Sequence, residues 1–388
     1  MTRPGGRLWL ASALAWFLPM GAPLAHGADA DSARTGRSAS TEILFDAGLD
    51  YPAGNYPCSV AVDFLDSDNI PDLAVANYGS NSVSILLGNG DGTYRARREF
   101  PAAFLPYNVA SGDLNGDGRT DLAVASEGTG VVTVLWGEGD GSFRDRRDLD
   151  AGGGAYSVAI GDLNADGWPD LVATNLNLNK VSVLLSKGDG SFRPRMAYGT
   201  AHGPRSVAIC DLDRDDVPDL AVACFNSNAV SVLLGKGDGT FGPHAEYTTG
   251  ISPYSVVPGL INEDGWPDLA VSNLVSNSVA VLRGKGDGSF RRRREVMTGR
   301  QPYAVAVADL NEDGRRDLAT ANFASSTVSV LTGVGDGRFL LPLDLVSGRN
   351  PQSVAAADLN RDGLPDLVTA NTASNTVTVF LNRGMPAR

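Results

Sequence analysis

A chain of 388 residues with 43% hydrophobic and 20% charged residues is long enough for one large domain or two ordinary ones. Its formal net charge of −13 points to cations rather than nucleic acid as partners. Three cysteines, an odd number, do not make a disulfide framework, although export would permit one.

At the N-terminus, Arg3 and Arg7 precede an apolar run from Leu8 to about Ala25, which gives way to smaller residues around Ala25-His26-Gly27. A basic start, an apolar stretch and a small-residue exit describe a secretory signal peptide over residues 1–27. A membrane anchor is the alternative, but Pro19, Gly21 and Pro23 interrupt a run already short for a span. Residues 28–41 read as a flexible polar linker and 42–388 as one domain. The mature protein is expected to be monomeric, secreted or periplasmic, with no membrane span.

The domain repeats every 49 residues. The copies read D-L-N-G-D-G-R-T-D from Asp113, D-L-N-A-D-G-W-P-D from Asp162, D-L-D-R-D-D-V-P-D from Asp211, D-L-N-E-D-G-R-R-D from Asp309 and D-L-N-R-D-G-L-P-D from Asp358. Two further copies fall in register with Phe64 and Leu260 in place of the first Asp. A fixed period of this size implies a propeller or a solenoid. In the third copy, Tyr156–Gly161 is a run of small and branched residues, strand A. The acidic loop follows, then Leu171–Thr174 as strand B, Val181–Leu185 as strand C and, past the turn Gly188-Asp189-Gly190-Ser191, Phe192–Tyr198 as strand D. Four short strands and tight turns describe a propeller blade. A β-solenoid is the alternative, but its repeats are usually shorter.

Seven A-B-C sets are followed by only six D strands. Phe45 lies 49 residues before Tyr94, the aromatic of the first Gly-Asp-Gly turn, so residues 42–51 are expected to supply the outer strand of the last blade. Such closure removes the open edges that strands otherwise present. The fold expected is an all-β, seven-bladed propeller.

Each loop presents oxygens at alternate positions, the arrangement a hard divalent cation needs, and nearby His or Cys that would favour zinc or copper is missing. The calcium ligands expected are Asp113, Asn115, Asp117 and Asp121; Asp162, Asn164, Asp166 and Asp170; Asp211, Asp213, Asp215 and Asp219; Asp309, Asn311, Asp313 and Asp317; and Asp358, Asn360, Asp362 and Asp366. The degenerate copies keep Asp66, Asp68 and Asp72, and Asn262, Asp264 and Asp268, and are expected to bind weakly or not at all. Plain turn chemistry is the simpler explanation, but it does not require four oxygen side chains at fixed offsets in five copies. The role expected of calcium is structural, joining strand A to strand B.

The D-L-N-x-D-G-x-x-D loop followed by a strand and G-x-G-D-G-x-F resembles the FG-GAP or VCBS repeats of integrin α-subunit propellers and their bacterial relatives, over residues 42–388. The resemblance implies a calcium-bearing propeller of the adhesion type, and a cup at the channel mouth that receives a basic side chain from a partner subunit.

Just before each strand A comes one recurring position: Cys58, Tyr107, Tyr156, Arg205, Tyr254, Tyr303 and Gln352. Strand A lines the channel of a propeller, so these residues are expected to ring its mouth, on the face opposite the acidic loops. Tyrosines there offer π faces and hydroxyls to a cation or a sugar, whereas Arg205 would repel a cation; the alternative is that the ring simply plugs the channel mouth. A second ring, Tyr78, Glu127, Leu176, Phe225, Leu274, Phe323 and Thr372, reads as packing between blades. Only His202 and His244 remain beyond the signal peptide, with no nucleophile signature, so the chain reads as a non-enzymatic module recognising an extracellular protein or glycan. A calcium-dependent polysaccharide lyase or glycoside hydrolase, and a structural envelope component without a ligand, are the competing classes. The basic run Arg291–Arg294 reads as a solvated edge rather than a polyanion site.

Overall fold

In the third copy the strands form where small, branched and alternating residues run between turns: Ala155–Gly161 (A), Asp170–Asn175 (B), Lys180–Leu184 (C) and Met196–Gly199 (D). They pair antiparallel in that order as one sheet. Strand D is shorter than the sequence suggested, because Phe192 makes only an isolated bridge to Ser186 before Pro194 interrupts the pairing. The computed structural model describes residues 43–384, so the expected signal peptide and linker lie outside the described residues.

Seven such four-stranded sheets make up the described chain. Strand A of each blade packs beside strand A of the next, and the first blade meets the seventh. Leu49–Pro52 completes the last blade by pairing with Thr376–Phe380, in the register Leu49↔Val379 to Pro52↔Thr376. Phe45 adds an isolated bridge to Asn382. The closing strand is therefore the end of the expected 42–51 segment, extended by one residue.

The core lies between blades rather than within them. Cys58, Val83 and Ile85 of blade 1 pack on Val109, Leu122, Val124 and Phe143 of blade 2, and equivalent layers recur around the ring. Strand B is buried along its full length in every blade. Its leucine, such as Leu171, is fully enclosed, and burying one leucine contributes about 2 kcal/mol. Strand D faces solvent on alternate residues, as an outer edge should.

One irregularity recurs. Pairing of strands A and B slips at the second residue of strand A, for instance between Pro204 and Ser206 or Pro253 and Ser255. Two residues past the bulge, strand A, an edge strand of its sheet, turns a backbone amide toward the preceding blade, whose side chains accept from it. Val158 N donates to Asn108 Oδ1 at 2.9 Å and Val256 N to Ser206 Oγ at 3.3 Å. Val60 N donates to Ser353 Oγ at 3.3 Å, tying blade 1 to blade 7.

Candidate metal loops and the channel mouth

The loops between strands A and B are organised by their first acid. In the third copy Asp162 Oδ1 accepts from the amides of Asn164 and Asp166, and its Oδ2 from Gly167 at 2.8 Å. Asn164 Oδ1 accepts from Asp166 N, and Asp166 Oδ1 from Trp168 N, each at 3.0 Å. Asp113, Asp211, Asp309 and Asp358 gather loop amides in the same way. The oxygens of positions one, three and five are thereby drawn together at the tip. In the fourth copy, carboxylate oxygens of Asp211, Asp213 and Asp215 lie within 4.8 Å of one another. Burial, then the neighbouring Asp215 charge, pushes the Asp213 carboxyl up. Crowded carboxylates of this kind are relieved by a divalent cation, and an all-oxygen set suits calcium.

The ninth-position acid has a task the sequence did not reveal. Asp170 Oδ2 accepts from Leu163 N and its Oδ1 from Ser186 N, so one carboxylate ties the A–B loop to the start of the C–D turn. Asp72, Asp121, Asp219, Asp268, Asp317 and Asp366 repeat this pair of bonds, all at 2.7–3.0 Å. The pattern holds in the two copies that lack the first acid, so this buckle does not depend on a complete ligand set. Each oxygen keeps a second lone pair with which it can also reach an ion. Burial raises these carboxyls, to about 6 in Asp72, Asp219 and Asp268 and to about 7 in Asp121, Asp170, Asp317 and Asp366.

The degenerate loops show what the first acid does. With Phe64 and Leu260 in its place, the amides of Asp66 and Asn262 turn to the buckle, donating to Asp72 Oδ2 at 3.3 Å and Asp268 Oδ2 at 3.0 Å. Positions three and five remain in both copies, as Asp66 and Asp68 and as Asn262 and Asp264.

On the opposite face, the residues expected at the mouth sit at the bulges of strand A, or beside them. A bulge re-aims its side chain, and here the tyrosines and Arg205 converge toward the axis, whereas Cys58 stays in the layer between blades 1 and 2. The tyrosines do not stand apart as four separate rings. Tyr107 and Tyr156 stack with centroids 3.8 Å apart, and Tyr303 tilts against Tyr254 at 4.4 Å. The hydroxyl of Tyr254, from blade 5, hydrogen-bonds those of Tyr107 and Tyr156, from blades 2 and 3. Phenols from opposite sides of the ring therefore meet across the channel. Tyr156 is buried and the other three are half-buried.

Arg205 joins this cluster. Its guanidinium carbon lies 4.3 Å from the Tyr156 ring centroid, 5.1 Å from Phe225 and 5.6 Å from Tyr254. The cationic place that the sequence reading left for a ligand is taken by the chain itself. The second ring backs the first: Tyr78 packs on Tyr107, Phe225 on Tyr254 and Phe323 on Tyr303. Gln352 is half-buried at the rim, whereas Cys58 is buried with its thiol toward the Tyr107 carbonyl at 3.1 Å. Burial pushes that thiol up to about 12, and all three cysteines are free.

A closed ring of seven blades with acidic A–B loops defines an acidic-loop repeat propeller. Residues 65–124, 113–173, 162–222, 261–320 and 309–369 match the FG-GAP-like repeat, and the chain belongs to that family. Among curated proteins none matches it in sequence. In shape it is similar to BBS1N, solved in complex with ARL6DN (TM-score 0.63, 13% identity, covering 87% of this chain and 96% of that one). It is also similar to a virginiamycin B lyase from Staphylococcus aureus (0.58, 15%, 87% and 99%). A third likeness is to an Agrocybe aegerita lectin that recognises non-reducing terminal N-acetylglucosamine (0.54, 17%, 82% and 86%). At these identities the likeness is one of fold alone.

Proposed function

We propose that the protein is an exported, calcium-stabilised propeller that recognises an extracellular protein or glycan at its channel mouth, without catalysis. The observation that carries this reading is the convergence of Tyr107, Tyr156, Tyr254, Tyr303 and Arg205 at one end of the channel. Such a constellation holds apolar faces, hydroxyls and one charge in a fixed geometry, which is the composition of a ligand site. Calcium serves the scaffold: held by Asp162, Asn164 and Asp166 and their counterparts, it would supply charge neutralisation at the loop tips. The residues fit it, because the tips offer only oxygen donors.

Purified protein screened against glycan and extracellular-protein arrays, with and without calcium, tests the proposal. Binding should be lost when Tyr107 and Tyr254 are both replaced by Ala, while bound calcium stays the same. Aromatic anchors of this kind commonly cost about 2 kcal/mol or more each when truncated. Turnover of a glycan would favour the enzyme class, and binding indifferent to the double substitution would move recognition away from the mouth.

A further inference from the structure

Resting on that reading of the mouth, we infer that the ligand is an anion: the carboxylate of a uronic-acid-bearing polysaccharide, received by Arg205. The aromatic cluster already contains its cation, so a basic ligand would meet like charge where it enters. None of the ion pairs among the described residues involves Arg205. Its Nε is enclosed without a hydrogen-bond partner. A half-buried guanidinium with no carboxylate is costly in lost solvation, and its carbon is held 4.3 Å from the Tyr156 ring centroid. The terminal nitrogens form the edge that pairs end-on with a carboxylate through two charge-assisted bonds.

The surroundings select the polymer. Lys180, Arg300 and Arg349 stand at the B–C and D–A ends of blades 3, 6 and 7, on the same face as Arg205. The acidic loops all lie on the other face, so the chain's net charge of −13 conceals a face with several cations. Glu127, the one acid within the second ring, stands beside Tyr78, two blades from Arg205. A polymer with a carboxylate on each sugar can meet Arg205 at the centre and a peripheral cation with a neighbouring unit; an isolated acidic side chain meets only one. Tyr56 and Phe104, each 56% exposed on the D–A connections of this face, give flat apolar surfaces on which the C–H face of a pyranose ring packs.

The test compares oligogalacturonate, oligomannuronate and oligoguluronate with their carboxyl-reduced counterparts and with polyglutamate, at saturating calcium. The expected result is that at least one uronate binds about tenfold or more tighter than its reduced form, the ratio a charge-assisted hydrogen bond supports. Arg205→Gln should erase that preference, and Arg205→Lys, which keeps the charge and loses the fork, should retain part of it. Both variants are checked for an unchanged melting curve; should the Gln variant not fold, the Lys variant and Tyr56→Ala with Phe104→Ala carry the test. Uronates can also bridge through calcium at the acidic face, and binding of that kind would survive Arg205→Gln, overturning the inference. Equal affinity for the reduced oligomers, abolished by the double tyrosine substitution, would overturn the anion while leaving recognition at the mouth standing. Equal binding of polyglutamate would replace the glycan with an acidic protein. No binding to any uronate overturns the inference, and an array blank for every ligand removes the reading beneath it as well.

Discussion

Thr378 donates its hydroxyl to the carboxylate of Asp50, 328 residues earlier, at 2.5 Å. Thr133 and Asp148 make the same contact within blade 2, and Ser329 and Asp344 within blade 6, in both cases between residues 15 apart on adjacent strands. In blade 7 that local contact has become the fastening between the two ends of the domain.

Removing residues up to Pro52 should therefore leave the strand at Thr376–Phe380 unpaired on its outer side. The melting temperature should fall by about 5 °C or more, as expected for a loss of a few kcal/mol in a domain of this size. The exposed edge should also recruit other chains, visible as higher-order species in size-exclusion chromatography. An unchanged monomer with an unchanged melting curve would count against closure as a source of stability.

The buckle and the loop tip are separable. Asp268→Asn, in a copy without the first acid, should cost about 1–3 kcal/mol because two buried amides lose a charged acceptor, with no change in bound calcium. Asp166→Ala should do the reverse, reducing the calcium count by one ion with a smaller effect on the chelated protein. Metal analysis beside thermal melting distinguishes the two, and calcium loss from Asp268→Asn would refute the division of labour.

The seven buckle carboxyls also predict a pH dependence. Their folded values, about 6 to 7, lie above the roughly 3.9 of an unfolded Asp, so the folded chain holds more protons in between. In chelator, the stability these seven groups contribute should be fully present near pH 4 and fall as pH rises through 6 to 7. Calcium binding requires deprotonated carboxylates, so with excess calcium the trend should reverse. Melting curves at pH 5 and pH 8, with and without chelator, check both signs.

Tyr94 occupies the position held by Phe143, Phe192, Phe241, Phe290 and Phe339 in other copies. Its hydroxyl is buried without a partner, against Asp72 and Asp366, whose charges raise it further after burial itself. Tyr94→Phe should be neutral or stabilising by up to about 1 kcal/mol, since an unpaired polar group is deleted without leaving a cavity. A loss of stability would mean that the hydroxyl has a partner such as bound water.

The 49-residue period was enough to place the order of the strands, the closure and the levels of both rings, because a repeat fixes the topological level of each residue, but not the length of strand D. It could not say where a side chain goes once it enters the channel. Tyr254 meets Tyr107 from three blades away, and Arg205 folds onto Tyr156; both depend on channel radius and bulge geometry. Asp170 was hidden for another reason. Its second partner is a backbone amide 16 residues downstream, and an amide has no signature in a sequence.

The bulge at the head of strand A has one more implication. Residues such as Arg205 and Tyr254 are skipped by the strand ladder, so blade pairing places little demand on their identity. A ring of seven such positions behaves like the tumblers of a lock set in an unchanging barrel. Exchanging Tyr107, Tyr156, Arg205, Tyr254, Tyr303 and Gln352, while Cys58 keeps its place in the core between blades 1 and 2, should re-key the mouth for a different ligand while the seven sheets and their acidic loops fold as before.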